Sequence, residues 1–517
     1  IDGITQDKKI KDFEISQTNL VRHRVAHALS EIIVISDNSV LELNSEGMAD
    51  FYDLLYKHAL GNYSDLLTDV SLHPCMGVYL THINNRKENV PQRIHPDENY
   101  AREIMQLFTI GLFELNNDGT RKKDSAGNDI PTYDNDDIKE LARVFTGIKA
   151  QQYLYEWPSA NIDVDGFKVP FSSINKRPIQ LGDDVNKVFK ILPYVDMLQP
   201  MTGDDAYHDL GSKTLLGGNL SLPTRSENNG QATIQDITSA VQQLVSNPNT
   251  APFIAKKLIQ QMVTSNPTKA YVKAVASKFG PKGDLKAVVK EILIYPLHND
   301  VTNSNNSHVG NIQKLKSPLL RVTQLLRAFN AYNDDKRLWL IGEDIKSYLS
   351  QHTLSSPTVF NFYKPDFVPH GPIEDAGKVA PEFELYNAHT SISYVNMMYD
   401  WLFGDALPLV STQIRKHQTP PFPVPELAPN TLLNNASSKL KLNLTQELKL
   451  ATKRDDYPAL ISRVSLLLTG KETPNNQADI MATLAPYDPS SPTQQLWIVQ
   501  TVIFMIVISP EFTVLEA

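Results

Sequence analysis

Residues 95–147 read HPDENYAREIMQLFTIGLFELNNDGTRKKDSAGNDIPTYDNDDIKELARVFTG, two helical segments joined by a polar loop. Wound at about 100° per residue, the first segment places Glu98, Asn99, Arg102, Glu103, Gln106 and Thr109 in one polar sector. Tyr100, Ala101, Ile104, Met105, Leu107 and Phe108 fill the opposite one. Pro96 and Asp97 are start signals, because a short acceptor side chain satisfies the free amides of a first turn, and Gly111 is a stop. Glu98 precedes Arg102 by four residues, a spacing at which opposite charges attract. The second segment starts at Asp134, with Asp136 and Asp137 where the helix dipole favours negative charge. Ile138, Leu141, Ala142, Val144 and Phe145 form its apolar face. Asp137 projects between Leu141 and Val144, either drawn inward or bonded to first-turn amides.

Helical periodicity continues on both sides of this pair. Residues 11–36 predict a helix with Leu20, Val21, Val25, Leu29 and Ile32 apolar, and 45–60 and 62–82 predict two more. His23 and His27 share a face, but without an intervening Glu the pair is a weak metal motif. Between 150 and 228 Gly, Asn and Pro clusters break the pattern. There Asp163, Asp165 and Gly166 resemble part of a calcium loop, but the closing Glu is missing and a turn is the better reading. Helices resume from 231, interrupted by a polar run at 299–311. The stretch 351–385 is rich in Pro and aromatics, with Phe360, Phe362, Tyr363 and Phe367 as expected anchors against the helices. A second Pro-rich stretch, 420–429, is the best linker candidate.

These segments predict a mainly α protein: a large helical body with a loop-rich insertion containing short strands. An N-terminal helical part at 1–150 carries the opening pair, and the insertion occupies 151–228. A helical part with the Pro/aromatic segment spans 229–418, and a C-terminal helical part at 430–517 packs on the same body.

Composition narrows the function. The formal net charge is −9 with no basic block, which disfavours nucleic acid as a partner. One cysteine, Cys75, excludes an intrachain disulfide and any cysteine-rich metal site. The longest apolar run, Leu496 to Ile508, is interrupted by Gln500 and Thr501 and is shorter than the roughly 20 residues a transmembrane helix needs. Phosphate-binding glycine loops, H-E-x-x-H and G-x-S-x-G are all missing from the sequence.

ENYAREIMQLFTIG (98–111) followed by YDNDDIKELARVFTG (133–147) resembles the paired signature of domain-of-unknown-function family 1800, a bacterial family of secreted or envelope proteins. Further stretches agree in order: RHRVAHALSEIIVIS (22–36), NYSDLLTDVSLHPCMGVYL (62–80), HDLGSKTLLG (208–217), NPNTAPFIAKKLIQQMV (247–263), KSPLLRV (316–322), PTVFNFYKPDFVPHG (357–371) and SPEF (509–512). The chain departs at Gln106, where the family usually shows an acidic residue, and at Ile148, where an aromatic usually follows Thr-Gly. The resemblance implies a periplasmic, cell-surface or extracellular location, and a leader removed ahead of Ile1. It supplies no reaction.

Two function classes remain. The first is a structural, binding or assembly component with a protein or polysaccharide partner, its charged residues forming an ion-pair network that ties the insertion to the helical body. The alternative is an enzyme sited between the 98–106 helix and the 208–213 loop, with Glu98, Arg102, Glu103, Asp137, His208, Asp209 and Lys213 as catalytic candidates. Acid–base work would use the carboxylates and imidazole, and Glu103, His208 and Asp209 would suit a divalent metal as cofactor. Both the network and the enzyme require the His208–Lys213 loop to lie against the first helix.

Overall fold

The computed structural model describes residues 19–42, 44–151, 162–164, 167–169, 195–298, 313–332, 346, 348–404 and 441–516. It is mainly α-helical. Helices Leu20–Ser30, Ser45–His58, Tyr63–Ser71, Pro74–Tyr79, Asn99–Glu103, Asn135–Ala142, Gln231–Ser246, Thr250–Met262, Lys269–Ala276 and Leu285–His298 share one apolar core. A second core is built by Pro318–Ala328, Ala388–Phe403, Tyr457–Thr469, Gln477–Leu484 and Pro492–Val507.

Strands among the described residues are short antiparallel pairs: Ile148–Lys149 with Thr202–Gly203, Ile162–Val164 with Phe167–Val169, and Lys213–Leu215 with Leu220–Leu222. Gln313–Leu315 pairs with Val514–Glu516, tying the entry of the second core to the chain's last described residues. No helix among the described residues is long and apolar enough to cross a membrane.

Several expected helices are interrupted, each for a local reason. Residues 11–18 lie outside the described residues, and the helix beyond them stops at Ser30 with Leu20 and Val21 exposed. The segment 62–82 breaks between Ser71 and Pro74. Proline disfavours helical φ/ψ at the residue before it, so His73 turns extended and accepts the Cys75 amide on Nδ1, restarting the helix.

The first opening helix is α-helical only over Asn99–Glu103 and then widens into a π turn at Ile104–Phe108. The wider turn rotates the residues after it out of α phase. Thr109, expected on the solvated side, is fully buried and donates its hydroxyl to the Ile104 carbonyl at 2.6 Å. Gly111 ends the segment at φ +71, a conformation glycine adopts without strain, with its amide on the Met105 carbonyl. The second helix matches expectation: Asp134 caps Asn135–Ala142 in a capping box with Asp137.

Of the aromatic anchors, Phe362 and Tyr363 bury, whereas Phe360 is 47% exposed. The 299–311 run, the 420–429 stretch and the pair Asp165-Gly166 fall outside the described residues; Asp163 lies in the strand Ile162–Val164.

Candidate functional site

The candidates from the sequence part into separate groups. His208, Lys213 and Asp236 are all fully buried. Lys213 Nζ donates to Asp236 Oδ2 at 2.7 Å, to the Asp209 carbonyl at 2.5 Å and to the Gly211 carbonyl at 3.0 Å, which uses all three ammonium protons. Arg225 Nε reaches Asp236 Oδ1 at 2.7 Å. His208 sets Nε2 3.2 Å from Asp236 Oδ2 and Nδ1 2.8 Å from the Thr146 carbonyl. Burial alone would raise the Asp236 carboxyl, but the hydrogen bonds from His208, Lys213 and Arg225 outweigh it and hold it down at about 2.

Gly147 makes this approach feasible. At φ +74 its backbone passes so close that an added Cβ would stand 2.7 Å from the His208 Cβ. Beside it Asp209 takes a two-pronged contact from Arg143, at 2.8 Å to Nε and 3.0 Å to Nη2, and Arg143 Nη1 also donates to Glu140 at 2.6 Å. Asp137 accepts the Leu216 amide at 2.6 Å as well as the Asp134 amide of its own cap. It is both drawn into the structure and satisfied by backbone.

The His208–Lys213 loop therefore makes its bonds to the second opening helix and to Gln231–Ser246. No hydrogen bond or ion pair among the described residues joins residues 208, 209 or 213 to 98, 102 or 103. Glu98 pairs with Arg102 at 3.6 Å on a half-exposed surface. Glu103 is buried, its carboxyl raised by that burial against the opposing pull of Arg102, and its Oε2 accepts no hydrogen bond. The expected metal set of Glu103, His208 and Asp209 is not assembled, and no group of His, Cys, Asp and Glu among the described residues could hold a metal ion. Both His208 nitrogens face oxygens, and both Asp209 oxygens accept from Arg143, the Asp209 side chain keeping 22% of its surface exposed. Cys75 is equally closed, buried with its thiol pushed up to about 12 by desolvation.

Apart from these groups, a cleft of about 870 Å³ lies between the first core and the segment 359–382. Helix Thr250–Met262 forms one wall. Its Phe253, Lys256, Lys257, Gln260 and Gln261 share one face, while Ile254, Ala255, Leu258 and Ile259 bury on the other. The loop between the opening helices adds Phe113 and Arg121, stacked at 4.3 Å, and the π turn adds Gln106. Asn249 pins that loop, its Nδ2 donating to the Ile110 carbonyl at 2.5 Å and the Phe113 carbonyl at 3.0 Å. Phe360, Asn361 and Tyr363 close the far side.

Glu31 and Glu382, 7% and 1% exposed, form the floor. Glu31 accepts a 2.6 Å bond from Asn361 Nδ2. Asn361 presents that amide from φ +71, a left-handed conformation asparagine tolerates better than most residues. Burial, reinforced by the charge of Glu382 and opposed by Asn361 and Lys314, pushes the Glu31 carboxyl up to about 7. Lys314 Nζ pairs with Glu382 Oε1 and donates to the Gln260 carbonyl at 2.6 Å, whereas Glu382 Oε2 accepts no hydrogen bond. On the wall Lys257, 4.7 Å from the Phe253 ring centre, is lowered to about 8 by desolvation, with Asp366 opposing.

A family model described as Protein of unknown function (DUF1800) matches residues 8–514. The chain belongs to that family. No curated protein and no solved structure matches it. Four of the stretches that carry the DUF1800 resemblance supply the cleft: Glu31 from the first, Gln106 from the opening pair, Lys257 and Gln260 from 247–263, and Asn361 and Tyr363 from 357–371. Two signals in the sequence point there in retrospect. Ser30 and Glu31 interrupt the apolar run Ala28–Ile35, and Asn361 stands between Phe360 and Phe362; a polar group among large apolar ones has to find a partner.

Proposed function

We propose that this DUF1800 chain is a binding component of the bacterial envelope or exterior, and that its cleft takes a segment of acidic polysaccharide. The lining of the cleft carries this reading. Its volume falls within the roughly 300–1,000 Å³ of ligand sites. Phe360, half-exposed, offers a ring to the C–H surfaces of sugars, and Gln106 and Gln261, each accepting a tyrosine hydroxyl on its oxygen, have amide NH2 groups to donate to sugar hydroxyls. In a chain of net charge −9, the exposed lip of this cleft gathers Lys256, Lys364, Lys378 and Arg121, the last paired with Asp129, against one exposed carboxylate, Asp366, a local excess of positive charge suited to uronate carboxylates. The scarcity of cysteine suits an oxidising exterior, and the family resemblance points the same way.

Affinity electrophoresis in gels containing polygalacturonate, hyaluronan or neutral dextran tests this. The acidic polymers should retard the protein more than dextran, and Lys256→Ala with Lys364→Ala should remove most of the difference. Migration unaffected by all three polymers would sink the reading.

A further inference from the structure

We propose that helix Ala388–Phe403 is a self-association surface, on which a second copy of this chain packs its own Ala388–Phe403 antiparallel about a two-fold axis. The surface belongs to the second core and is independent of what the cleft binds.

This helix is apolar on two sides. Tyr394, Met397, Met398, Trp401 and Leu402 bury into the second core. The opposite side shows Ile392 at 63%, Tyr399 at 55% and Val395 at 37% exposure. Tyr399 stands 5.0 Å from the Phe403 ring and 5.9 Å from that of Phe504, so the stripe ends on a three-ring cluster that is only partly covered. A helix apolar all round is normally covered all round, and a contiguous exposed apolar patch marks an interaction site. His389 and Asp400 are the helix's only charge-bearing residues besides its tyrosines. Both are exposed, and neither side chain has a hydrogen bond or ion pair among the described residues.

The spacing selects the partner. Wound at about 100° per residue, Ala388, Ile392, Val395, Asn396, Tyr399 and Phe403 fall in one sector, with His389 and Asp400 together along one edge of it. When two copies pack antiparallel about a two-fold axis at the Val395–Asn396 step, each residue faces the one equally far beyond that step, and each edge faces the same edge of the other copy. Ile392 then meets Tyr399 of the second copy, the small Ala388 meets Phe403, and Val395 meets Asn396 at the axis. His389 comes level with Asp400 of the second copy to within two residues of rise, about 3 Å. The imidazole of each copy therefore meets the carboxylate of the other, twice per dimer. A parallel pair would instead level His389 with His389 and Asp400 with Asp400. The stripe is thus complementary to itself in shape and in charge. One helix of 16 residues per copy is a small footprint, at the low end of specific interfaces, so the dimer should be weak and concentration-dependent.

Size exclusion with light scattering on the full chain, from about 1 to 100 µM, tests this by reading the mass across the range where weak dimers dissociate. The mass should rise from one chain toward two. Ile392→Glu, at a position already open to water, should hold it at one chain. His389→Asp sets two carboxylates against each other across the contact and should weaken association by about 10-fold. Adding Asp400→His should restore it, because the exchanged pair faces again. An aspartate in the first turn and a histidine in the last both suit the helix dipole, and unchanged melting temperatures confirm that the variants fold. A mass of one chain at every concentration overturns the proposal, and so does a dimer that survives Ile392→Glu, which would be built on another surface. A dimer lost in His389→Asp and not restored by Asp400→His overturns the antiparallel pairing.

Discussion

Asp236 and Glu382 are both buried carboxylates paired with a lysine, yet their surroundings differ. Around Asp236 one oxygen takes Arg225, the other takes Lys213 and faces His208, and every Lys213 proton has an acceptor. On the cleft floor Lys314 holds one oxygen of Glu382 while the other is unbonded among the described residues, and burial pushes the neighbouring Glu31 carboxyl up to about 7. A fully satisfied polar network fixes a unique packing, whereas a partly satisfied one carries a standing cost. The first arrangement is what an architectural tie requires, whereas the second leaves one buried carboxylate oxygen with no donor among the described residues.

Three measurements test this contrast, from the largest expected effect to the smallest. Asp236→Ala strands the buried Lys213 ammonium and the Arg225 guanidinium and should cost about 3–5 kcal/mol of stability. Chemical denaturation gives the value, and a loss below about 1 kcal/mol would make the network incidental to the fold.

Glu31→Gln should act in the opposite direction and depend on pH. The Glu31 carboxyl is raised from 4.5 to about 7, so between those values the folded chain keeps a proton that the unfolded chain has shed. Its contribution is therefore most favourable below about pH 4.5 and is lost as pH rises through about 7. The variant, having nothing to ionise, should be more stable than the parent by about 3 kcal/mol at pH 8 and nearly equal to it at pH 4. Melting temperatures across that range decide, and equal curves at pH 8 would place Glu31 in a solvated setting. A residue whose removal stabilises the fold is one retained for something other than stability.

Glu98→Ala should change little, about 0.5 kcal/mol or less, because its contact with Arg102 is half-exposed and screened. A larger loss would mean that the outer face of the opening helix contributes to the architecture in a way its contacts do not show.

The sequence determined the helical class, the ends of the opening pair and the character of the insertion. Those follow from short-range rules: apolar periodicity, the Asp134 cap, the Gly111 stop and the breakers between 150 and 228. It also showed which residues in the 208–213 loop are polar enough to need partners. The partners themselves came only from the tertiary structure. Asp236 reads in sequence as an ordinary polar position of an amphipathic helix, and Arg143 as a solvated one, yet they engage the loop from 23 to 66 residues away. The cleft lies further still from local reach, since Glu31 meets Asn361 across 330 residues. Spacing along a helix fixes which side chains share a face, but not which face another segment will cover. The π turn at 104–108 makes the same point within a single helix, because local periodicity predicted an α phase that holds only to Glu103. What decided the pairing was the desolvation cost of isolated charges: once the two cores close, a buried carboxylate goes where a donor is already waiting, and no local rule carries that information.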